Sequence, residues 1–165
     1  MNIILCGFMG CGKSTIGKYL ALKTGRDFID LDEFIENEKN MSITEIFESL
    51  GESEFRNFET QAIKKLSKKE NHIIALGGGA ILKEENIGYL KSSGKIVFLE
   101  ISPLTAFERT KYDNKRPLLQ VDNSLEVIND MMSKRKQYYE KAADFKIDAN
   151  DKEIEKIAEE ILNLF

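Results

Sequence analysis

"NIILCGFMGCGKSTIGKYL", residues 2–20, decides the fold. Asn2–Cys6 is an apolar run too short for a helix. Gly7, Gly10 and Gly12 follow within six residues. Beyond Lys13-Ser14-Thr15, the apolar positions Ile16, Tyr19, Leu20 and Leu22 approximate helical spacing, up to Gly25. Strand, glycine loop and helix are the context in which G-x-x-x-x-G-K-[ST] acts, and Gly7, Gly12, Lys13 and Ser14 fill its fixed positions. The glycines let backbone N–H groups curl round a phosphate, and the helix N-terminus adds a positive dipole end. Lys13 is placed to reach β- and γ-phosphates, and Ser14 to ligate Mg²⁺. A glycine-rich turn capped by chance would match on the order of once in a hundred chains of this length. Cys11 reads two ways, as a thiol activated by the helix N-terminus or as a small residue that fits the loop.

Outward from this stretch, strands and helices alternate. "DFIDLD" (27–32) reads as a strand ending in carboxylates. Ser42 with Glu45 three residues on makes a capping box, opening a long polar helix to about residue 70. "HIIAL" (72–76), "KIVFLEI" (95–101) and "DFKID" (144–148) read as strands. "KEENIGYLKSS" (83–93) reads as a helix, and Ser102-Pro103 as an N-cap and first position of another, running to about Lys111. "KYDNKRPLLQVDN" (111–123) has no periodicity and reads as a mobile loop, long enough to be functional. Helices over 124–143 and 150–165 complete the chain, the last with Asn150 as N-cap. Five short apolar strands, each followed by a helix, predict an α/β, three-layer P-loop fold. Its five-stranded parallel sheet is flanked by helices, with the ligand site at the strands' carboxyl ends.

The 165 residues fit a single domain, 1–165. A net charge of −4 argues against a broad nucleic-acid footprint. Two cysteines five residues apart give no disulfide framework and suit a reducing cytosol. No apolar run is long enough to span a membrane, and the N-terminus has no basic n-region. The expectation is a cytoplasmic protein with no membrane partner.

A second stretch, "IIALGGGA" (73–80), ends an apolar run in three glycines. Such a triplet is costly to order, which implies that something approaches this backbone too closely for a side chain. The remaining motifs narrow the class. The guanine-reading N-K-x-D and the switch D-x-x-G of a GTPase are missing: Asn114-Lys115 runs into Arg116-Pro117. "HIIAL" ends in glycine, where a larger ATPase carries an acid. The metal carboxylate then falls to "FIDLD". On an extended segment Asp30 and Asp32 point the same way, one to help hold Mg²⁺ and the other to accept a proton from a substrate hydroxyl. Only five of the 24 basic residues are arginines, and arginine reads carboxylate and phosphate bidentately. Arg56, Arg109, Arg116 and Arg135 are therefore ligand candidates as well as ordinary ion-pair partners. His72, the single histidine, reads as structural.

Taken in order, "GFMGCGKST", "DLD", "GESEFR", "LGGGA", "RPLL" and "KRKQYYEKAA" resemble the shikimate kinase family over nearly the whole chain. The resemblance implies a nucleoside-monophosphate-kinase-like P-loop enzyme. It would have a substrate-binding helical segment at about 32–60 and a mobile lid at about 111–123. It implies ATP binding by Gly10, Cys11, Gly12, Lys13, Ser14, Thr15, Arg109 and Arg116. Mg²⁺ would lie at Ser14 and Asp30, and shikimate would be bound by Asp32, Arg56, Gly77, Gly78, Gly79 and Arg135. Asp32 would be the general base, and Lys13 and Arg116 would act on the transferring phosphoryl group. Glu59, one turn after Arg56, would orient it, with Phe47 and Phe55 as apolar walls. The triplet would leave room for a polyhydroxy ring, so that Gly78→Ala raises the shikimate KM far more than the ATP KM. Arg116→Ala is expected to reduce kcat more than shikimate binding. Relatives often carry an arginine beside the adenine after the last strand; "DANDKEIEK" has none. Small kinases of this type are expected to be monomers. Rival readings are another small-molecule kinase, such as a gluconate kinase, and a nucleotide-binding regulatory module without turnover.

Overall fold

The computed structural model describes residues 1–111 and 124–165. Residues 112–123, with Arg116 and most of the expected lid, lie outside that description. The described strands are β1 (Asn2–Cys6), β2 (Asp27–Asp30), β3 (His72–Ala75), β4 (Gly94–Glu100) and β5 (Phe145–Asp148). The helices are α1 (Lys13–Thr24), α2 (Leu31–Lys39), α3 (Ile43–Leu66), α4 (Glu84–Ser93), α5 (Pro103–Thr110), α6 (Ser124–Ala142) and α7 (Ile154–Leu162). All strand pairs are parallel, in the order β2-β3-β1-β4-β5.

β1 lies at the centre with every residue buried. Ile3 and Leu5 face one layer with Ile16, Leu20, Ile157 and Ile161. Ile4 and Cys6 face the other with Ile63, Leu90, Phe98 and Tyr139. Ordering a residue costs roughly 1–2 kcal/mol, and burying one aliphatic side chain returns about 1.5–3 kcal/mol. So short a strand holds because both of its faces are covered. The order reverses at β1, between β3 and β4, so the crevice opens at the carboxyl end of β1, where the glycine loop begins.

Several boundaries differ from expectation, each for a local reason. β2 stops at Asp30, because that carboxylate accepts the Asp32 amide (3.1 Å) and caps α2. Asp32 therefore lies in the first turn of a helix that the sequence reading placed in a strand. The long helix α3 is interrupted at Gly51 (φ 85°, ψ 166°), a left-handed conformation that glycine adopts without strain. The Ser42–Glu45 capping box and the Ser102 cap with Pro103 are both present. Asn150 is not the cap of α7, which starts at Ile154 after Glu153. Its side-chain oxygen instead accepts from Ser102 N (2.8 Å) and Thr105 Oγ1 (2.8 Å), tying the end of β5 to the start of α5. His72 lies against Glu70 O through Nδ1 (2.6 Å), a structural contact.

Candidate active site

The loop after β1 is made by backbone. Gly7, Gly10 and Gly12 have φ of 148°, 79° and 91°, values that side chains disfavour, and Gly12 leads directly into α1. The Lys13 ammonium lies across the loop, donating to Gly7 O (2.9 Å) and Phe8 O (3.2 Å). The Cys11 side chain is buried in the core and its sulfur lies 3.6 Å from Lys13 Nζ. This is the environment of a small residue that fits the loop. Arg109 donates to Gly10 O (3.2 Å) and Ala149 O (3.1 Å), fastening the loop to the turn after β5.

Asp30 joins this cradle to the rest of the site. Its Oδ2 accepts from Ser14 Oγ at 2.7 Å, while its Oδ1 accepts from the Asp32 amide. Hydroxyl and carboxylate are hard oxygen donors of the kind Mg²⁺ takes together with phosphate oxygens and water. Among the described residues no group of three His, Cys, Asp or Glu side chains could hold a metal by itself.

The other half comes from four separate elements. The glycine triplet leaves β3; Asp32 comes from α2, Arg56 and Glu59 from α3, and Arg135 from α6. Arg56 Nη1 donates to Glu59 Oε2 at 3.0 Å, as the one-turn spacing suggested, and Nη2 reaches Glu52 Oε1 at 3.3 Å. Glu59 is 1 % exposed. Burial pushes its carboxyl above the usual range, Arg56 and Arg135 pull it down, and the Asp32 charge adds to the rise. Phe47 and Phe55 form one wall, their rings 4.8 Å apart.

The triplet's lack of side chains now has a specific cause. A Cβ on Gly77 would come 2.7 Å from Asp32 Oδ1, and one on Gly79 would come 2.5 Å from both terminal nitrogens of Arg56. At Gly78 the nearest atom, Arg135 Nη1, is 3.4 Å away. The glycines thus first make room for the site's own side chains. The tightest contacts lie at Gly77 and Gly79, so a larger effect on the shikimate KM is expected there than from the Gly78→Ala change considered above.

One cleft of about 830 Å³ is lined by Gly10, Gly12, Lys13, Ser14, Thr15, Asp30, Asp32, Arg56, Gly77, Gly78, Gly79 and Arg135, within the usual range for a small-molecule site. Arg109 and the Cys11 side chain flank it, and Arg116 falls outside the described residues. Tyr139 escaped the sequence reading. Its hydroxyl donates to Gly78 O at 2.6 Å. Its position four residues after Arg135, hence on the same helix face, was the available signal.

A family model described as shikimate kinase matches residues 9–165. The shikimate kinase of Thermodesulfovibrio yellowstonii is 47 % identical over 98 % of this chain and 92 % of its own. That of Caldanaerobacter subterraneus is 40 % identical over 99 % of this chain and 95 % of its own. Among solved structures, shikimate kinase from Acinetobacter baumannii in complex with shikimate superposes with a TM-score of 0.93. It is 38 % identical, covering 99 % of this chain and 91 % of that one. Shikimate kinase from Aquifex aeolicus gives a TM-score of 0.86 at 39 % identity, over 99 % and 95 %. With the fold, the phosphate loop and near full-length identity in agreement, the chain belongs to the shikimate kinase family.

Proposed function

We propose that this cleft transfers the γ-phosphoryl group of ATP to the 3-hydroxyl of shikimate, giving shikimate 3-phosphate and ADP on the route to chorismate and the aromatic amino acids. The observation that carries the reading is the Asp30 carboxylate, hydrogen-bonded to Ser14 on the phosphate loop and to the Asp32 amide on the acceptor side. It sets a nucleotide cradle and a polar acceptor pocket side by side in one cleft.

The residue roles are those the family resemblance implies, and each suits the chemistry of its side chain. The backbone of residues 10–15 receives the ATP phosphates, and the Lys13 ammonium exchanges loop carbonyls for β- and γ-phosphate oxygens. Ser14 and Asp30 would hold Mg²⁺, which when bound neutralises charge on the phosphate oxygens. Asp32 accepts the proton of the attacking hydroxyl. Arg56, held by Glu59, and Arg135 grip the shikimate carboxylate as charge-assisted pairs. Arg109 borders the adenine, and Arg116, which lies outside the described residues, is assigned to the equatorial oxygens of the transferring group. Nearly all of the catalytic gain is then positioning and electrostatics.

The chain is treated as a single domain acting as a cytoplasmic monomer. Both cysteines are free and buried, which suits a reducing compartment, and no described helix is long and apolar enough to cross a membrane. Sedimentation of the purified protein tests the monomer. The activity test is ADP release with ATP and Mg²⁺, with and without shikimate, using gluconate and nucleoside monophosphates as controls. Shikimate-dependent release is expected. Turnover only with a control acceptor would replace the substrate, and none with any acceptor despite ATP binding would favour a regulatory module.

A further inference from the structure

Of the three triplet carbonyls, those of Gly77 and Gly79 accept from backbone in the turn that follows, from Ala80 N (3.2 Å) and Leu82 N (3.1 Å). The Gly78 carbonyl is held instead by a side chain, the Tyr139 hydroxyl, at 2.6 Å. Tyr139 is 2 % exposed, and its ring stacks on Phe98 with centroids 5.1 Å apart and planes 12° apart. Phe98 lies on β4 in register with Cys6, the last residue before the phosphate loop. The phenol is thus anchored to the sheet and aimed at a segment whose own side chains contribute nothing. A trans peptide is planar, so fixing the Gly78 carbonyl also fixes the direction of the Gly79 N–H on the other edge of that plane. Gly79 is the residue packed against the Arg56 guanidinium, and Gly78 lies beside Arg135.

We infer that Tyr139 is a positioning residue for the acceptor: its hydroxyl sets the Gly78–Gly79 peptide plane, and through it the placement of Arg56, with Arg135 beside the same hydroxyl. Resting on the shikimate reading, this inference extends it to a residue that need not touch substrate. A phenol is un-ionised across the neutral range, and burial only raises its pKa further, so the hydroxyl remains a donor to the carbonyl. Removing it leaves the half-buried Gly78 carbonyl without its side-chain partner while the ring and its stacking stay in place.

The test is Tyr139→Phe, read in two ways. The first is the amide NMR spectrum of the triplet: the Gly79 signal should move, with the amides of Gly7 and Gly12 unchanged. The second is initial-rate kinetics. The KM for shikimate should rise roughly five- to fiftyfold, with the ATP KM within about twofold. Unmoved triplet amides would overturn the inference. So would a lowered Tm with both KM values unchanged, the signature of a merely structural hydrogen bond. Should the wild-type enzyme use a different acceptor, the shikimate reading fails at that point. The same KM ratio is then read with the acceptor it does use, and an unchanged value would overturn the role of Tyr139 independently.

Discussion

The two ends of the cleft are built in opposite ways. The proposed nucleotide end centres on one continuous stretch, Gly7–Thr15, which would offer mostly backbone N–H groups and whose shape comes from three left-handed glycines. The acceptor end draws on α2, α3, α6 and the turn after β3, and its ligand groups are side chains pressed against glycines. The loop glycines are close-packed too, Gly7 against the Leu99 carbonyl of β4 and Gly10 against Thr110 of α5, but what they meet there is scaffold and not a ligand group. In the interlocked site, a methyl group added at one position displaces a carboxylate or a guanidinium supplied by another element.

That contrast is broken or sharpened by substitution. The largest effect should come from Asp32→Asn, which removes the proton acceptor and leaves the cradle intact. We expect kcat to fall by about 10²–10⁴ with little change in the ATP KM, as steady-state kinetics would show. Gly79→Ala comes next. Its Cβ must push the flexible end of Arg56 aside, so the shikimate KM should rise roughly tenfold or more, while thermal unfolding detects only a small loss of stability. A large fall in Tm there would mean that the glycine serves the fold and not the site. Gly78→Ala, with 3.4 Å of clearance from Arg135, should change the shikimate KM only about two- to fivefold. An effect equal to that of Gly79→Ala would refute the ranking.

The smallest effect concerns pH. Burial, opposed by Arg56, raises the Glu59 carboxyl above its ordinary value. The folded protein therefore binds this proton more tightly than the unfolded chain. The group favours folding at low pH, and that contribution is lost as pH rises from the ordinary carboxylate range through the raised value. Glu59→Gln should remove this downward component from a plot of Tm against pH. Parallel curves for the two proteins would show that Arg56 fully compensates the buried charge.

The same contrast explains what could be read in advance. The cradle was legible because its spacing, glycines and helix start all fall within nine residues, and the strand alternation placed it. Arg56 with Glu59 was legible because helical spacing puts them one turn apart. The position of Asp32 was misread: Asp30 turns out to be a helix cap, and capping competes with strand extension over a single residue. Asn150 was assigned to its own helix, whereas its partners Ser102 and Thr105 lie far away in sequence. The reason for the triplet was half legible. Three glycines announce a close approach, but the partners, Asp32, Arg56 and Tyr139, meet only in the folded chain.

Asp30 belongs to both ends, since it is the residue on which Ser14 and the Asp32 amide converge. The decisive measurement is therefore the initial rate of ADP release by Asp30→Ala, with ATP and shikimate varied independently. If one carboxylate couples cradle and acceptor, both KM values rise together, unlike in the glycine variants, where only shikimate is affected. A rise confined to ATP, with the shikimate KM unchanged, would contradict the coupling and reduce Asp30 to a component of the nucleotide end.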